Sequence, residues 1–151
     1  YQYPEKGLPL FVTHALEDQP LPLYGDGNNV RDWLHVEDHC RGIECVLRCG
    51  VPGQAYNIPG GSERRNIELT RRILELTEKP ESLIKPVADR VGHDRRYSID
   101  GAKLRALGWS RRMPWDEGVA LTVRWYQENA WWWGKIKSGE FREYYKRQYG
   151  G

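Results

Sequence analysis

Residues 20–39 read Pro-Leu-Pro-Leu-Tyr-Gly-Asp-Gly-Asn-Asn-Val-Arg-Asp-Trp-Leu-His-Val-Glu-Asp-His. A short edge strand at 21–24 runs into a glycine turn, a return run covers 30–36, and an acidic helix start follows. Arg31 lies between the turn and the return run, where its planar guanidinium can bind a phosphate or a carboxylate in a fixed direction. The stretch is compatible with an anion-binding segment, or with a surface hairpin in which Arg31 pairs with a carboxylate such as Asp32.

A helix is predicted directly after this stretch. Glu37 and Asp38 suit a first helical turn because their charges complement the positive end of the helix dipole. An apolar stripe then recurs at helical spacing, and Gly50 marks the end of the helix. The members of the stripe are Val36, Cys40, Ile43 and Leu47.

An amphipathic helix is predicted on the N-terminal side, between Pro4 and about Glu17. Its apolar positions recur at helical spacing, and they are Leu8, Phe11, Val12 and Ala15. Pro20 and Pro22 end this pattern before the edge strand begins.

The remainder of the chain continues the alternation of strands and helices. Strands are predicted at 55–58 and 84–88, and helices at 66–76, 100–107 and 115–130. Such alternation is typical of α/β layers. The predicted fold class is therefore α/β, and 151 residues fit one domain with a real core.

The charge and the hydropathy of the chain exclude several classes of partner. Its 23 basic and 21 acidic side chains give a formal net charge of +2, too small for an electrostatic footprint on nucleic acid or membrane. No apolar stretch approaches the roughly 20 residues that span a bilayer, and residues 1–6 lack the features of a signal peptide. We therefore expect a cytoplasmic protein with no nucleic-acid or membrane partner. The only methionine is Met113, so a chain beginning at Tyr1 is expected to be part of a longer protein.

Two local clusters of unusual residues stand out. Cys40, Cys45 and Cys49 fit neither a disulfide framework nor a zinc knuckle, and we expect reduced, buried small residues, with a metal or redox role for Cys45 and Cys49 as the alternative. Residues 131–133 are consecutive tryptophans that cannot all face one core. We expect at least one of them to rest against a segment missing from this chain or against a partner subunit, or else to be merely exposed.

The charged segment at 89–100 is a second candidate site. It combines three arginines, three aspartates and one histidine around Gly92. Its basic groups can bind an anion, and Tyr97 and Ile99 have the alternate spacing of anchoring residues. A solvated charge run is the alternative interpretation. His93 can act as a general acid or base, or only as a hydrogen-bonding group.

Three ordered motifs carry a family resemblance. They read Pro-Leu-Tyr-Gly-Asp-Gly-x-x-Val-Arg-Asp-Trp-Leu-His-Val-Glu-Asp-His at 22–39, Tyr-Asn-Ile at 56–58 and Gly-His-Asp-Arg-Arg-Tyr-x-Ile-Asp at 92–100. With the opening Tyr-x-Tyr-Pro-Glu-Lys, they resemble the C-terminal half of the dTDP-glucose 4,6-dehydratases, which are extended short-chain dehydrogenase/reductases. The resemblance covers essentially the whole chain. It implies that residues 1–151 are the α/β substrate-binding part of such a protein, without most of the Rossmann domain.

The resemblance also implies a reaction and a cofactor. In this family, NAD on an N-terminal Rossmann domain takes a hydride from C4 of dTDP-glucose, water is lost across C5 and C6, and the hydride returns to C6. The family's Tyr-x-x-x-Lys motif is absent here, and the glycine pattern at 25–30 ends in Val30 with no helix predicted after it. We therefore expect NAD to be bound by the missing N-terminal domain. No catalytic, cofactor-binding or metal-binding residue is expected in this chain, which alone would be inactive, and the full-length protein is expected to be a homodimer.

The site residues implied by the resemblance hold the nucleotide sugar. Arg31 grips the diphosphate, because a bidentate charged contact suits this ligand. The other implied contacts are Lys6 and Gly7 near the nucleotide sugar, Pro22, Leu23 and Tyr24 in the thymine pocket, Asn57 as a hydrogen-bonding group, Asp89, Arg90, Val91, Gly92 and His93 in a loop over the nucleotide, and Tyr149 near the end.

Two other functions are compatible with these residues. One is a related dehydratase or epimerase acting on a GDP- or UDP-sugar, since Tyr24 alone does not select the base. The other is a non-enzymatic nucleotide-binding or interaction module that uses the arginine-rich loop and the tryptophan-rich C-terminal region.

Overall fold

The computed structural model describes residues 2–137 and 146–148. Helices and strands alternate within this part of the chain, as the sequence predicts. In chain order they are α1 (Gly7–Leu16), β1 (Leu21–Tyr24), β2 (Val30–Asp32), α2 (Val36–Cys49), β3 (Glu63–Arg65), α3 (Asn66–Leu76), a 3-10 turn (Glu81–Leu83), β4 (Ile84–Val87), α4 (Ala102–Ala106), α5 (Trp115–Glu128) and α6 (Ala130–Lys137).

The four strands form two separate two-stranded sheets. Strand β1 pairs with β4 in parallel. Strand β2 pairs with β3 in antiparallel register, with Arg31 opposite Arg64. The interpretation of residues 20–39 as a hairpin, with β1 paired to β2, is therefore wrong.

The glycine turn is held against other segments instead of closing a hairpin. Gly25 and Gly27 have positive φ angles of 54° and 69°, which glycine adopts without steric cost. The Gly25 amide donates to the Val87 carbonyl at the end of β4 (2.9 Å), and the Ile67 amide of α3 donates to the Gly27 carbonyl (2.9 Å). These bonds direct the chain away from β1 before β2 begins.

Two predicted strands differ from the structure. The return run at 30–36 is a strand only as far as Asp32, and residues 55–58 form no strand. In the latter segment the side chains make the contacts: Asn57 donates its amide to the Asp100 carbonyl (3.0 Å), and the Tyr56 hydroxyl accepts from the Val51 amide (3.0 Å). The predicted strand at 84–88 is confirmed as β4.

Helix α1 is confirmed, but it is not amphipathic. Residues 9–15 are all buried, because α1 packs against α3, α5 and β1, and Lys137 of α6 lies 3.4 Å from the Thr13 hydroxyl. A helix covered on several sides must also satisfy its polar residues. His14 donates from Nδ1 to the Pro20 carbonyl (2.7 Å), and burial lowers the pKa of this imidazole.

The hydrophobic core lies between α1, α3, α5 and β1. Its largest fully buried apolar side chains are Val12, Leu21, Ile73, Leu74, Val123 and Tyr126. The Tyr126 hydroxyl donates to the Gln2 carbonyl (2.8 Å), and burial raises the pKa of Tyr126 to about 12. This contact ties the start of the described chain to α5.

Helix α2 is confirmed, but its apolar stripe faces solvent. Leu47 is 81% exposed and Val36 is 64% exposed, whereas Asp38 and Gly42 are buried. A Cβ atom on Gly42 would lie 2.7 Å from Ile58, so this glycine allows the segment at 55–58 to pack closely on the helix. The buried face of α2 is therefore the one that carries Asp38 and Gly42.

The three cysteines of α2 are free thiols. Cys40 and Cys49 are exposed, so their interpretation as buried residues is wrong. Cys40 follows Asp38 by two positions and therefore lies on the opposite side of the helix, and Cys49, which is in line with Asp38 and Gly42, is the last residue of α2. Cys45 is half-buried, with Sγ 3.7 Å from the Leu107 carbonyl oxygen. Among the described residues, no three His, Cys, Asp or Glu side chains are grouped so that they could hold a metal ion.

The predicted helix at 115–130 is divided at Asn129 into α5 and α6. The indoles of 131–133 face different surroundings, as their spacing predicts. Trp133 is buried and donates Nε1 to the Tyr126 carbonyl (2.8 Å), while Trp131 is 65% exposed. None of the helices in the described ranges is long and apolar enough to span a bilayer.

Candidate functional site

Arg31 lies on β2 and points its guanidinium at the charged segment 89–100. Nη2 donates to Nε2 of His93 (2.8 Å), and Nη1 donates to the Val30 carbonyl (2.7 Å). The guanidinium carbon lies 4.1 Å from the centre of the Tyr97 ring, within the range of a cation–π contact. Arg31 contacts no carboxylate in the described part of the chain, so its positive charge remains available for an anion.

The carboxylate expected to pair with Arg31 has other partners. Asp32 accepts from the Gly60 amide (2.8 Å) and the Ser62 amide (2.7 Å). Its two oxygens therefore hold the backbone that leads into β3. The hairpin interpretation was wrong about this pair as well as about the strands.

His93 connects Arg31 to Asp89. Its Nδ1 lies 2.6 Å from Oδ1 of Asp89, and the imidazole contacts the Tyr24 ring edge-on, with 5.5 Å between ring centres. The hydrogen bond from His93 holds the pKa of Asp89 below its usual value, and the Arg90 amide contributes to the shift. The structure therefore brings together Tyr24, Arg31, Asp89 and His93 from β1, β2 and the loop.

Backbone bonds to β2 position this loop. The Val30 amide donates to the Arg95 carbonyl (2.8 Å), and the Tyr97 amide donates to the Val30 carbonyl (3.1 Å). At the loop tip, Gly92 has a φ of 71° and Val91 is fully exposed. The loop therefore lies alongside β2 and projects its tip into solvent.

Two of the three arginines in segment 89–100 pair with carboxylates. Arg95 binds Asp26 (3.1 Å), and Arg96 makes two hydrogen bonds of 2.7 Å to Glu63. The Arg96 guanidinium lowers the pKa of Glu63 to about 2. Both charges are thus compensated within the protein, unlike that of Arg31.

Strand β1 presents two faces. Leu23 is 4% exposed and belongs to the hydrophobic core. Successive residues of a strand point to opposite faces, so Pro22 and Tyr24 share the other face. The Tyr24 hydroxyl accepts from Nε2 of Gln148 (3.3 Å), which brings the end of the described chain to this face.

Comparison with known proteins identifies the family. The family model described as GDP-mannose 4,6 dehydratase matches residues 1–122. The chain belongs to this family. Within it, the chain is 51% identical over 133 residues to the dTDP-glucose 4,6-dehydratase of Actinoplanes sp. (87% of this chain, 42% of the relative), and 48% identical over 139 residues to that of Streptomyces niveus (91% and 41%).

Solved structures of family members have the same fold. A dTDP-glucose 4,6-dehydratase from Streptomyces venezuelae with NAD and dTDP bound matches with a TM-score of 0.88 at 52% identity, covering 91% of this chain and 43% of that one. The enzyme from Bacillus anthracis, in complex with NAD, matches with a TM-score of 0.86 at 48% identity, covering 91% and 44%. The predicted α/β fold and the resemblance to dTDP-glucose 4,6-dehydratases are confirmed. The chain spans less than half the length of these relatives.

The remaining site residues implied by the family resemblance have other partners than Arg31. Lys6 precedes α1 and pairs with Glu5 (3.0 Å), and Gly7 is the first residue of that helix. Asn57 is exposed and bonds to the Asp100 carbonyl. No hydrogen bond or ion pair joins these three residues to Arg31 within the described ranges, and Tyr149 lies outside them.

Two further residues contact the group formed by Tyr24, Arg31, Asp89 and His93. The sequence did not predict either of them as a site residue. Tyr97 supplies the ring beneath Arg31, and its spacing from Ile99 was the available signal. Asn29 is 2% exposed; its Nδ2 donates to the Asp94 carbonyl (3.3 Å) and lies 3.4 Å from Nδ1 of His93. No pattern in the sequence distinguishes this asparagine from its neighbour Asn28.

Proposed function

We propose that this chain is the nucleotide-sugar-binding part of a dTDP-glucose 4,6-dehydratase. The whole protein would convert dTDP-glucose to dTDP-4-keto-6-deoxyglucose and water by NAD-mediated internal hydride transfer. One observation carries the proposal: Arg31 is held by an imidazole, a carbonyl and an aromatic ring, and by no carboxylate of the described chain. A guanidinium oriented by neutral groups keeps its full charge for a diphosphate.

The surroundings of Arg31 suit the rest of a thymidine nucleotide. Tyr24 offers an aromatic face for the base, and Pro22 extends the same face of β1. The loop at 89–93 also carries Arg90, an exposed cation. Leu23 lies on the opposite face of β1 and belongs to the hydrophobic core.

Residues 25–30 do not fit the phosphate-binding turn of a dinucleotide site. Residues 25–30 contain two of the three glycines of a dinucleotide-binding pattern, but they lead into β2 instead of a helix. A phosphate site of that kind needs the amides at a helix N-terminus. We therefore assign NAD and the acid–base chemistry to the part of the protein beyond this chain, and nucleotide-sugar binding to the residues around Arg31.

Titration calorimetry with dTDP tests the proposal. In the full-length protein, Arg31→Ala should weaken dTDP binding by about 1.5–3 kcal/mol, the usual value of a hydrogen bond to a charged group. Arg95→Ala is the matched control, because it removes an arginine whose charge Asp26 already compensates. It should change affinity much less.

The outcomes separate the alternatives. Unchanged affinity of Arg31→Ala would remove this residue from the site. Failure of the full-length protein to bind dTDP would refute the function, and tighter binding of UDP or GDP would assign the site to another nucleotide sugar.

A further inference from the structure

Three side chains form a continuous row from the loop to β2. Oδ1 of Asp89 lies 2.6 Å from Nδ1 of His93, and Nε2 of His93 lies 2.8 Å from Nη2 of Arg31. The His93 side chain is only 5% exposed, whereas that of Asp89 is 39% exposed. Solvent therefore reaches the carboxylate at one end of the row more easily than the imidazole at its centre.

The two ends of this row determine where the imidazole carries its proton. A guanidinium has only donors, so a hydrogen bond from Arg31 requires a lone pair on Nε2 of a neutral His93. The proton of that neutral ring must then be on Nδ1, and the Asp89 carboxylate, which has only acceptors, stabilises it there. The other tautomer would point an N–H at the donor of Arg31.

The neighbouring polar groups do not replace Asp89 in this role. Asn29 approaches Nδ1 of His93 only through its amide nitrogen, at 3.4 Å, and a second donor cannot stabilise an Nδ1–H group. Asp94 accepts from the Tyr97 hydroxyl (2.7 Å). Tyr24 contacts the imidazole with its ring. Asp89 is thus the acceptor that fixes the tautomer.

We propose that Asp89 is a positioning residue that acts through His93 to hold the guanidinium of Arg31 in its anion-binding orientation. The proposal rests on the proposed function, because it concerns the orientation of the residue assigned to the diphosphate. Asp89 and His93 lie on the loop and Arg31 lies on β2. Docking of the loop and alignment of the guanidinium are therefore one event.

A double-mutant cycle tests whether Asp89 acts through His93. In the full-length protein, Asp89→Ala should weaken dTDP binding about three- to tenfold, the equivalent of one hydrogen bond. Asp89→Asn should restore most of the affinity, since its carbonyl oxygen can accept from Nδ1. Glu75→Ala, which removes an exposed carboxylate paired with Arg72, is the matched control and should leave affinity unchanged.

His93→Ala supplies the second side of the cycle. It removes both imidazole nitrogens, so no side chain remains through which Asp89 could act on Arg31. Asp89→Ala should therefore change dTDP affinity less than about twofold in the His93→Ala background. Equal losses in both backgrounds would show that Asp89 acts on the ligand directly and would overturn the proposal.

Nitrogen NMR of His93 in the ligand-free protein supplies a readout that does not depend on dTDP. The wild type should carry its proton on Nδ1, and Asp89→Ala should lose that preference. An unchanged tautomer in Asp89→Ala overturns the positioning role, whatever the affinity. If the wild type does not bind dTDP, the proposed function fails, whereas the NMR comparison still decides whether Asp89 fixes the tautomer.

Discussion

At the scale of single residues, the charge of the partner distinguishes the arginines of the site. Arg96 meets Glu63 in two hydrogen bonds, and such a compensated pair at the surface attracts an anion weakly. Arg31 lies one strand position from Val30 and meets only neutral groups in the described chain. Its place between an imidazole and a phenol ring orients the charge without neutralising it.

The ring of Tyr97 provides a residue-scale prediction. Tyr97→Leu should weaken dTDP binding by about 0.5–1 kcal/mol, because it removes the cation–π contact beneath the Arg31 guanidinium. Tyr97→Phe keeps the ring and loses only the hydroxyl contact with Asp94. Calorimetry should place Tyr97→Phe close to the wild type; equal losses in both variants would contradict a role for the ring.

The sequence predicted the separate parts of the cluster but not the pairing within it. Arg31 and the charged loop were recognised from local composition and from the family resemblance. The contact of Arg31 with His93 joins residues 62 positions apart in the sequence. No local sequence pattern predicts a contact between residues so far apart. In the hairpin interpretation a nearby carboxylate such as Asp32 pairs with Arg31, yet the Asp32 carboxylate binds amides 28 and 30 positions downstream.

At the scale of elements, helices were predicted better than strand partners. A helix satisfies its backbone locally, so its spacing is visible in the sequence. The parallel pairing of β1 with β4 brings together segments some 60 residues apart, and the turn at 25–27 gave no sign that it docks on β4 and α3. The sequence predicts an amphipathic α1, whereas the helix is buried on several sides. The spacing of apolar residues within a helix does not show how many other elements pack against it.

Two glycines give a prediction at this scale. A Cβ atom on Gly60 would lie 2.2 Å from the Trp33 carbonyl oxygen, whereas one on Gly134 in α6 would meet nothing within 4 Å. Gly60→Ala should lower the free energy of unfolding by about 1–3 kcal/mol through overpacking. Gly134→Ala should raise it by about 0.5–1 kcal/mol through its better helix propensity. Denaturant unfolding of both variants checks the pair, and similar small effects would contradict the close approach at Gly60.

At the scale of the whole molecule, one buried carboxylate joins α2 to the segment before α5. Asp38 accepts from the amides of Arg112 (3.0 Å) and Met113 (2.8 Å) and from the Arg41 guanidinium (2.6 Å). Burial favours the neutral acid, but these three donors outweigh it and lower the pKa of Asp38. The contact holds together parts of the chain more than 70 residues apart.

Removal of this carboxylate should affect the whole fold. Asp38→Ala should lower the free energy of unfolding by about 3 kcal/mol, because it leaves buried amides and a guanidinium without their acceptor. Glu44→Ala on the same helix, where an exposed pair with Arg48 is lost, should change it by less than about 0.5 kcal/mol.

The same variant has a pH signature. Because the folded state lowers the pKa of Asp38, its stabilisation is complete above the ordinary value of 3.8 and is lost as the pH falls below it. The difference between wild type and Asp38→Ala in denaturant unfolding should therefore shrink in acid. A difference that is constant with pH would contradict the role of the charge.

The two backbone bonds of Val30 to the loop have a kinetic consequence. Under the proposed function, a nucleotide held beneath the loop dissociates no faster than the loop detaches from β2, and detachment breaks the bonds that protect the amides of Val30 and Tyr97. At a pH where opening limits the exchange, hydrogen exchange at these two amides gives the opening rate of the loop. Under the proposed function this opening rate is the upper limit for nucleotide release, which connects a strand pairing to the residence time of the ligand.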